Sequence, residues 1–149
     1  MAHTFTRILI HLVFATKDRA RLITPEVKPR LEGYMVGILT NLGVYLHKLN
    51  SVEDHCHLLV DLPATMALAE LVNKLKSNSS RHMNETLGDS KFGWQRGYGG
   101  FSISQNHAAM VVGYIERQEE HHRGVTLKEE LAQLLERYDF AGDPEFVGE

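Results

Sequence analysis

The stretch Ile8-Leu-Ile-His-Leu-Val-Phe-Ala15 is the densest apolar run of the chain, and it indicates where the centre of the fold lies. The run is much shorter than the roughly 18 to 20 apolar residues that a membrane-spanning helix requires. Its Ile, Leu, Val and Phe residues are typical of a strand. We therefore predict a strand over residues 5–16, and because most of its length is apolar we expect it in the middle of a sheet.

The segments that follow alternate between helix and strand signals. Thr24 and Pro25 suit a helix N-cap and first helical position, and Asn41-Leu42-Gly43 suits the end of that helix. Further along the chain we predict a strand hairpin over 44–51 and 55–62, a helix capped by 63–65, a strand over 98–104, a helix from Asn106 to about His121, and a last amphipathic helix capped by Thr126. This order predicts an α+β fold, a ferredoxin-like split βαβ sandwich: an antiparallel sheet with helices on one face, plus C-terminal helices.

The length of 149 residues fits one domain, which we place at residues 1–140, followed by a loose acidic tail over 141–149 that shows no periodicity. The single cysteine, Cys56, excludes an intramolecular disulfide and a cysteine-cluster metal site, and it fits a reducing compartment. The first residues lack the basic and apolar regions of a secretory leader. We therefore expect a cytoplasmic protein without a membrane partner.

The formal net charge of −3 is unevenly distributed. Residues 1–110 hold 12 Lys and Arg against 9 Asp and Glu, whereas residues 111–149 hold 4 against 10. Nucleic-acid binding depends on local basic patches more than on total charge. The charge therefore neither supports nor excludes a nucleic-acid partner.

The tripeptide His55-Cys56-His57 is the first candidate site, because it lies in a predicted strand. Residues two apart on a strand point to the same face, so both imidazoles could bind one metal ion while Cys56 points into the core. A pair of surface histidines on a half-buried strand would give the same pattern. By itself, the motif leaves both interpretations open.

Tyr114 and Gln118 form the second candidate, since their spacing places them about one helical turn apart on the same face. The phenol of Tyr114 could act as a covalent nucleophile, and the amide oxygen of Gln118 could complete the ligand shell of a metal. An amphipathic helix with a tyrosine at its boundary is the alternative. Of the adjacent His121 and His122, we expect at most one near the site, because neighbouring helical residues do not share a face.

Basic and aromatic residues form the remaining candidates. Trp94 begins a glycine-rich segment that could stack on bases or could pack into the core, and a basic, serine-rich helix end could hold phosphates or could be simply solvated. The residues that we single out for DNA contact are Lys17, Arg19, Arg21, Lys74, Lys76, Arg81, Trp94 and Arg96.

Taken in order, these motifs resemble those of the single-tyrosine HUH transposases, the small enzymes of insertion sequences of the 200/605 type and their repeat-associated relatives. The order is His-x-His on an inner strand, a basic helix end, a Trp-Gln-x-Gly-Tyr-x-x-Phe-Ser-x-Ser strand, and Tyr-Ile-x-x-Gln with Glu-His-His close behind. The resemblance runs from about Thr6 to about His122. Cys56 stands where that family usually has a bulky hydrophobic residue.

The resemblance implies a specific chemistry. Tyr114 would be the nucleophile, and His55, His57 and Gln118 would bind a divalent metal, Mg²⁺ or Mn²⁺. The enzyme would cleave and rejoin single-stranded DNA next to hairpins through a 5′-phosphotyrosine, and it would act as a homodimer. The sequence leaves open whether the tyrosine serves its own subunit or the other one.

Three alternatives remain at this level. The protein could be a domesticated nuclease that processes chromosomal repeat hairpins, or a non-catalytic ferredoxin-like module that binds nucleic acid. It could also be a zinc hydrolase, in which His121 joins the histidine pair. No carboxylate stands at recognisable spacing to act as its general base, although Asp61 shares the strand face of His57 and could lie near the metal.

Overall fold

The computed structural model describes residues 3–88 and 91–137, and a four-stranded antiparallel sheet lies at its centre. The strands are β1 (Leu9–Ala15), β2 (Tyr45–Ser51), β3 (His55–Asp61) and β4 (Gly99–Ile103), and their order in the sheet is β2-β3-β1-β4. The predicted central position of the first strand is therefore confirmed. Every residue of β1 is buried, as its apolar composition requires.

The helices are α1 (Lys28–Asn41), α2 (Leu68–Leu87), α3 (Ala108–Glu116), α4 (Gln118–His121) and α5 (Leu127–Arg137), with short 3₁₀ turns at Lys17–Arg19 and Gln105–His107. Helices α1 and α2 cover one face of the sheet. That face carries alternate residues of the two inner strands: Ile10, Leu12 and Phe14 of β1 with Cys56, Leu58 and Val60 of β3. The α+β fold class and the split βαβ order are confirmed.

The C-terminal helices, whose position the sequence left open, cover the other face. Leucines of α5, namely Leu127, Leu131, Leu134 and Leu135, pack on Val13, Ala15 and Phe101. Ile115 of α3 packs on Leu9 and Leu59. His55 and His57 lie on this second face, so the C-terminal helices enclose them against the sheet.

Several element boundaries differ from the predicted ones. Helix α1 begins at Lys28, because a turn comes first in which the side-chain oxygen of Thr24 accepts the N–H of Val27 at 3.3 Å. Helix α2 begins at Leu68, after an extended N-cap residue, Ala67. It ends at Leu87, and the C-cap residue Gly88 has a φ of +74°, a left-handed conformation that glycine adopts readily.

The prediction of one continuous helix from Asn106 to about His121 is wrong. A 3₁₀ turn occupies Gln105–His107, and the helix is interrupted at Arg117, which has φ −95° and ψ 17°. The N–H of Arg117 lies 3.2 Å from the carbonyl oxygen of Gly113 and 3.3 Å from that of Tyr114, which tightens the last turn of α3. Tyr114 and Gln118 therefore lie on consecutive short helices.

The predicted tail over 141–149 and the predicted domain end at residue 140 lie outside the described residues. The single-domain assignment stays a prediction. Among residues 3–88 and 91–137, no helix combines the length and apolar character needed to cross a bilayer.

Candidate metal and tyrosine site

The histidine pair lies at the start of β3, one strand from the sheet edge. His57 is opposite Val13 of β1 and Asn50 of β2, and both histidines are fully buried. Cys56, also fully buried, points to the opposite face and packs among the residues that meet α1 and α2. The prediction that side chains alternate between the two faces along this strand is therefore confirmed.

The imidazole rings are held through their Nδ1 atoms. Nδ1 of His55 lies 2.7 Å from Oδ1 of Asp54, and Nδ1 of His57 lies 2.9 Å from Nε2 of His11. Since one nitrogen of each ring is occupied in this way, both rings present Nε2 to the same point under the C-terminal helices. Fixed orientation of this kind is common for histidines that bind metals.

The carboxylate of Glu130, on α5, occupies that point and is fully buried. Its Oε1 lies 2.8 Å from Nε2 of His57, 3.0 Å from Nε2 of His122 and 3.3 Å from Nε2 of His55. Its Oε2 accepts a hydrogen bond from the hydroxyl of Tyr114. Glu130 thus contacts both predicted metal-binding histidines and the predicted nucleophile.

Tyr114 and Gln118 also reach this site, despite the break between their helices. The Tyr114 ring is half-buried, with its centroid 5.7 Å from that of His57 and 6.0 Å from that of His11. Gln118 is fully buried, and its Nε2 lies 3.5 Å from the carbonyl oxygen of Tyr114. Its amide oxygen, Oε1, has no hydrogen-bond partner among the described residues, so that oxygen remains available to accept a hydrogen bond or to bind a metal ion.

Burial and hydrogen bonding set the protonation states. Burial lowers the pKa of His57 to about 4 and that of His11 to about 3. Burial alone would raise the pKa of Glu130, but hydrogen bonds from His122 and His57, together with the nearby His55 imidazole, hold that pKa below its ordinary value. Burial and the neighbouring Glu130 charge raise the pKa of Tyr114 well above its ordinary value. The resting site therefore contains neutral His57, ionised Glu130 and protonated Tyr114.

The donor set fits a divalent metal. One ligand atom from each of His55, His57, His122 and Glu130 can be chosen so that all lie within 4.8 Å of one another. A neutral imidazole and an ionised carboxylate are the forms that bind metal ions. Gln118 is a further candidate oxygen ligand, because its buried side chain contacts the backbone of Tyr114 and its amide oxygen has no partner among the described residues.

Two expectations about nearby residues are wrong. Both His121 and His122 approach Glu130, with His121 Nε2 3.4 Å from Oε2, because α4 ends at His121 and the chain turns there. Asp61, in contrast, lies at the far end of β3, where it pairs with Arg7 at 3.3 Å and accepts the N–H of Ile8.

Sequence reasoning missed Glu130 and His11, although each leaves a signal. Glu130 lies on the apolar stripe of α5 that includes Leu127, Leu131 and Leu134. A carboxylate on a buried stripe requires partners, because an unpaired buried charge is costly. His11 is the one polar residue of the central apolar strand and requires a partner for the same reason.

The candidate DNA-contact residues differ in how far they are engaged in internal contacts. Lys74 pairs with Glu70, and Arg21 pairs with Glu53. The Lys76 ammonium donates to the carbonyl oxygens of Gln95 and Gly97 at 2.5 and 3.0 Å. Arg81 donates to Asn78, Arg96 is exposed, and the 3₁₀ turn Lys17–Arg19 lies beside residues 93–95. Their role on DNA stays a prediction.

Trp94 packs inward. Its ring meets Phe14 and Phe92 edge to face, with centroids 4.8 and 5.1 Å apart, and its indole N–H donates to Ser79 at 2.9 Å. We therefore expect Trp94→Leu to lower the free energy of unfolding by about 2 kcal/mol or more through lost packing and a lost hydrogen bond. Urea denaturation measures this loss. If the chain binds hairpin DNA as the sequence resemblance implies, that affinity should be unchanged in the folded variant; a drop of tenfold or more would instead indicate that the ring stacks on a base.

A split βαβ sheet that brings a His-x-His pair and a helical tyrosine together on one face defines the class of single-tyrosine HUH transposases. Residues 4–118 match the family described as "Transposase IS200 like". The chain therefore belongs to the IS200-like transposase family, a family of DNA-cleaving enzymes that act in DNA recombination.

Similar proteins agree with this assignment. The transposase for insertion sequence element IS200 of Salmonella typhimurium is 28% identical over 124 residues, which cover 79% of this chain and 81% of that protein. The ISDra2 transposase TnpA of Deinococcus radiodurans is 28% identical over 114 residues, with 72% and 81% covered.

Two solved structures share the fold. A putative transposase of Deinococcus radiodurans has a TM-score of 0.65 at 26% identity and covers 79% of this chain and 95% of its own. A REP-associated tyrosine transposase bound to a REP hairpin has a TM-score of 0.61 at 13% identity, covering 82% and 73%.

Proposed function

We propose that this transposase cleaves and rejoins single-stranded DNA near hairpins through a 5′-phosphotyrosine on Tyr114. The observation that carries the proposal is the position of the Tyr114 hydroxyl, which meets the same buried carboxylate as His57. The similarity to IS200-type transposases supports a DNA substrate. A structural relative that is bound to a REP hairpin supports a hairpin in that substrate.

In the proposed reaction the Tyr114 oxygen attacks the scissile phosphorus. The phosphorus–tyrosine bond forms as the bond to the 3′ oxygen breaks, which leaves a free 3′-hydroxyl once that oxygen takes a proton from water. The nearest acceptor for the phenol proton is Oε2 of Glu130. Rejoining reverses these steps on a second strand end, so the bond energy is kept and no nucleotide cofactor is required.

The proposed metal ligands include His55, His57 and the amide oxygen of Gln118, which has no other partner. Imidazole and oxygen donors suit Mn²⁺, and Mg²⁺ is accommodated where water and phosphate oxygens complete its octahedron. Bound there, a divalent ion would supply Lewis-acid stabilisation of charge on the phosphate oxygens. The strand and the helices that carry these residues hold them in place before DNA binds.

We further propose that the enzyme works as a homodimer in the cytoplasm. Within one chain, Tyr114 already lies beside His57. This arrangement is compatible with a tyrosine that serves its own subunit's histidine pair.

The test is a labelled single-stranded hairpin library incubated with the protein and separated on a denaturing protein gel. We expect a DNA–protein band that survives denaturant in the presence of Mn²⁺ or Mg²⁺ and falls at least about 100-fold after chelation by EDTA, because charge on the phosphate is then uncompensated. Readdition of Mn²⁺ should restore it.

Other outcomes distinguish the alternatives. Hairpin binding without any covalent band, with every metal and substrate tried, would contradict the proposal and favour the non-catalytic binding module. Cleavage without rejoining of a second strand end would favour a repeat-processing nuclease.

A further inference from the structure

The carboxylate of Glu130 contacts both sides of the site: Oε1 meets the imidazoles of His57 and His122, and Oε2 accepts from the hydroxyl of Tyr114. It and His122 lie beyond residue 118, where the match to the family ends. Their role therefore has to be argued from this chain's own structure.

We propose that His122 and Glu130 are ligands of the same divalent ion as His55 and His57, and that Glu130 also positions the Tyr114 hydroxyl beside that ion. This inference rests on the proposed function, in which a divalent ion takes part in the reaction. Two of the four proposed ligands, His122 and Glu130, come from the segment after α3.

The spacing of the donor atoms supports this ligand set. Oε1 of Glu130 lies between 2.8 and 3.3 Å from the Nε2 atoms of His57, His122 and His55. Ligands bound about 2.0 to 2.2 Å from a central metal are themselves roughly 3 to 3.5 Å apart. The three Glu130–histidine distances are therefore those expected between ligands of one ion, and all four donor atoms lie within 4.8 Å of one another.

The orientation of the His55 and His57 imidazole rings supports this ligand set independently. Asp54 and His11 occupy the Nδ1 atoms of His55 and His57, so only the Nε2 atoms are left for a ligand. Nε2 of His55 is buried and has no hydrogen-bond partner among the described residues, since its 3.3 Å approach to Glu130 does not have hydrogen-bond geometry. A buried nitrogen without a partner is costly unless something absent from the protein itself fills the place.

The two oxygens of Glu130 have different neighbours. Oε1 faces the histidines, whereas Oε2 accepts from Tyr114. Leucines on both sides anchor α5 to the sheet, so the carboxylate cannot move far without unpacking them. Glu130 would thus fix the distance between the ion and the nucleophile before DNA arrives.

Gln118 can still be a ligand of the same ion. An octahedral ion that accepts His55, His57, His122 and Glu130 would still have room for the Gln118 oxygen and a phosphate oxygen. With four protein ligands that include three imidazoles, the site would also accept Zn²⁺.

The experiment measures binding of Mn²⁺ alone by isothermal titration calorimetry on the full chain after dialysis against chelator, without DNA. We expect Glu130→Gln and His122→Ala each to weaken Mn²⁺ binding at least about 100-fold, more than the loss of an outer-shell partner. Glu129→Gln, an exposed neighbour that bonds the Thr126 hydroxyl, is the matched control and should bind as the wild type does. Tyr114→Phe should also retain Mn²⁺ affinity, since only Oε2 meets the phenol.

The outcomes are separable. If His57→Ala weakens Mn²⁺ binding while Glu130→Gln and His122→Ala, shown to be folded by circular dichroism, do not, the added ligands are wrong and the proposed function stands. If the wild type binds neither Mn²⁺ nor Zn²⁺, the ligand assignment fails entirely. A covalent DNA band that persists in Glu130→Gln with unchanged yield at saturating Mn²⁺ would overturn its role in positioning Tyr114.

Discussion

Tyr114→Phe is expected to reduce formation of the covalent DNA–protein band at least about 1,000-fold, because the variant lacks the oxygen that bonds to phosphorus. The ring itself remains, with its edge-to-face contacts to His57, His11 and His121. Hairpin affinity and folding should therefore be retained. The measurement is single-turnover band formation at saturating Mn²⁺, together with hairpin binding by fluorescence anisotropy.

Tyr98→Phe is the matched control for this result. Tyr98 is half-buried just before β4 and packs against the core on the α1 and α2 side of the sheet, away from His57. It should form the band as the wild type does. A band that survives in Tyr114→Phe and disappears in Tyr98→Phe would move the nucleophile to the other face and contradict the proposed site.

The parts of this site that the sequence predicted are those set by local periodicity. His55 and His57 share a face because strand side chains alternate, and Cys56 enters the core for the same reason. Tyr114 and Gln118 are one turn apart, and they still converge because the break at Arg117 keeps a turn-like backbone. Each of these relations spans four residues or fewer.

The relations that the sequence could not predict span much longer separations. Glu130 reaches His57 across 73 residues, and His11 reaches it across 46. Both depend on which face of the sheet the C-terminal helices cover and on strand register, neither of which periodicity determines. The order of elements gives the sheet, but the packing of α5 against Val13 and Phe101 follows only from the three-dimensional structure.

The packing of α5 divides the acidic residues of the C-terminal segment into exposed and buried ones. Most of the charged residues of α5 are exposed, namely Lys128, Glu129, Glu136 and Arg137. One of its carboxylates is nevertheless fully buried among histidines. Burial of an ionised group is tolerated only with several partners, and hydrogen bonds from two imidazoles and a phenol supply them here. The net charge of the segment does not reveal that one of its carboxylates is buried.

His57→Ala is expected to weaken Mn²⁺ binding and to reduce band formation at least about 100-fold, because it removes a nitrogen donor at the centre of the cluster. It also leaves Nε2 of His11 and Oε1 of Glu130 without their bonds to this ring. Some stability should be lost as well, so the comparison is made at a temperature at which the variant is folded by circular dichroism. Calorimetry with Mn²⁺ and the gel assay measure the two losses separately.

His47→Ala is the matched control, since His47 lies on the neighbouring strand β2 and its ring contacts Tyr45 instead of the cluster. That variant should bind Mn²⁺ and form the band as the wild type does. Because His55 and the carboxylate of Glu130 remain in His57→Ala, raising the Mn²⁺ concentration should restore part of the band, which distinguishes a lost ligand from a collapsed site. Wild-type Mn²⁺ affinity in folded His57→Ala would place the ion elsewhere and remove the physical basis for Tyr114 chemistry at this cluster.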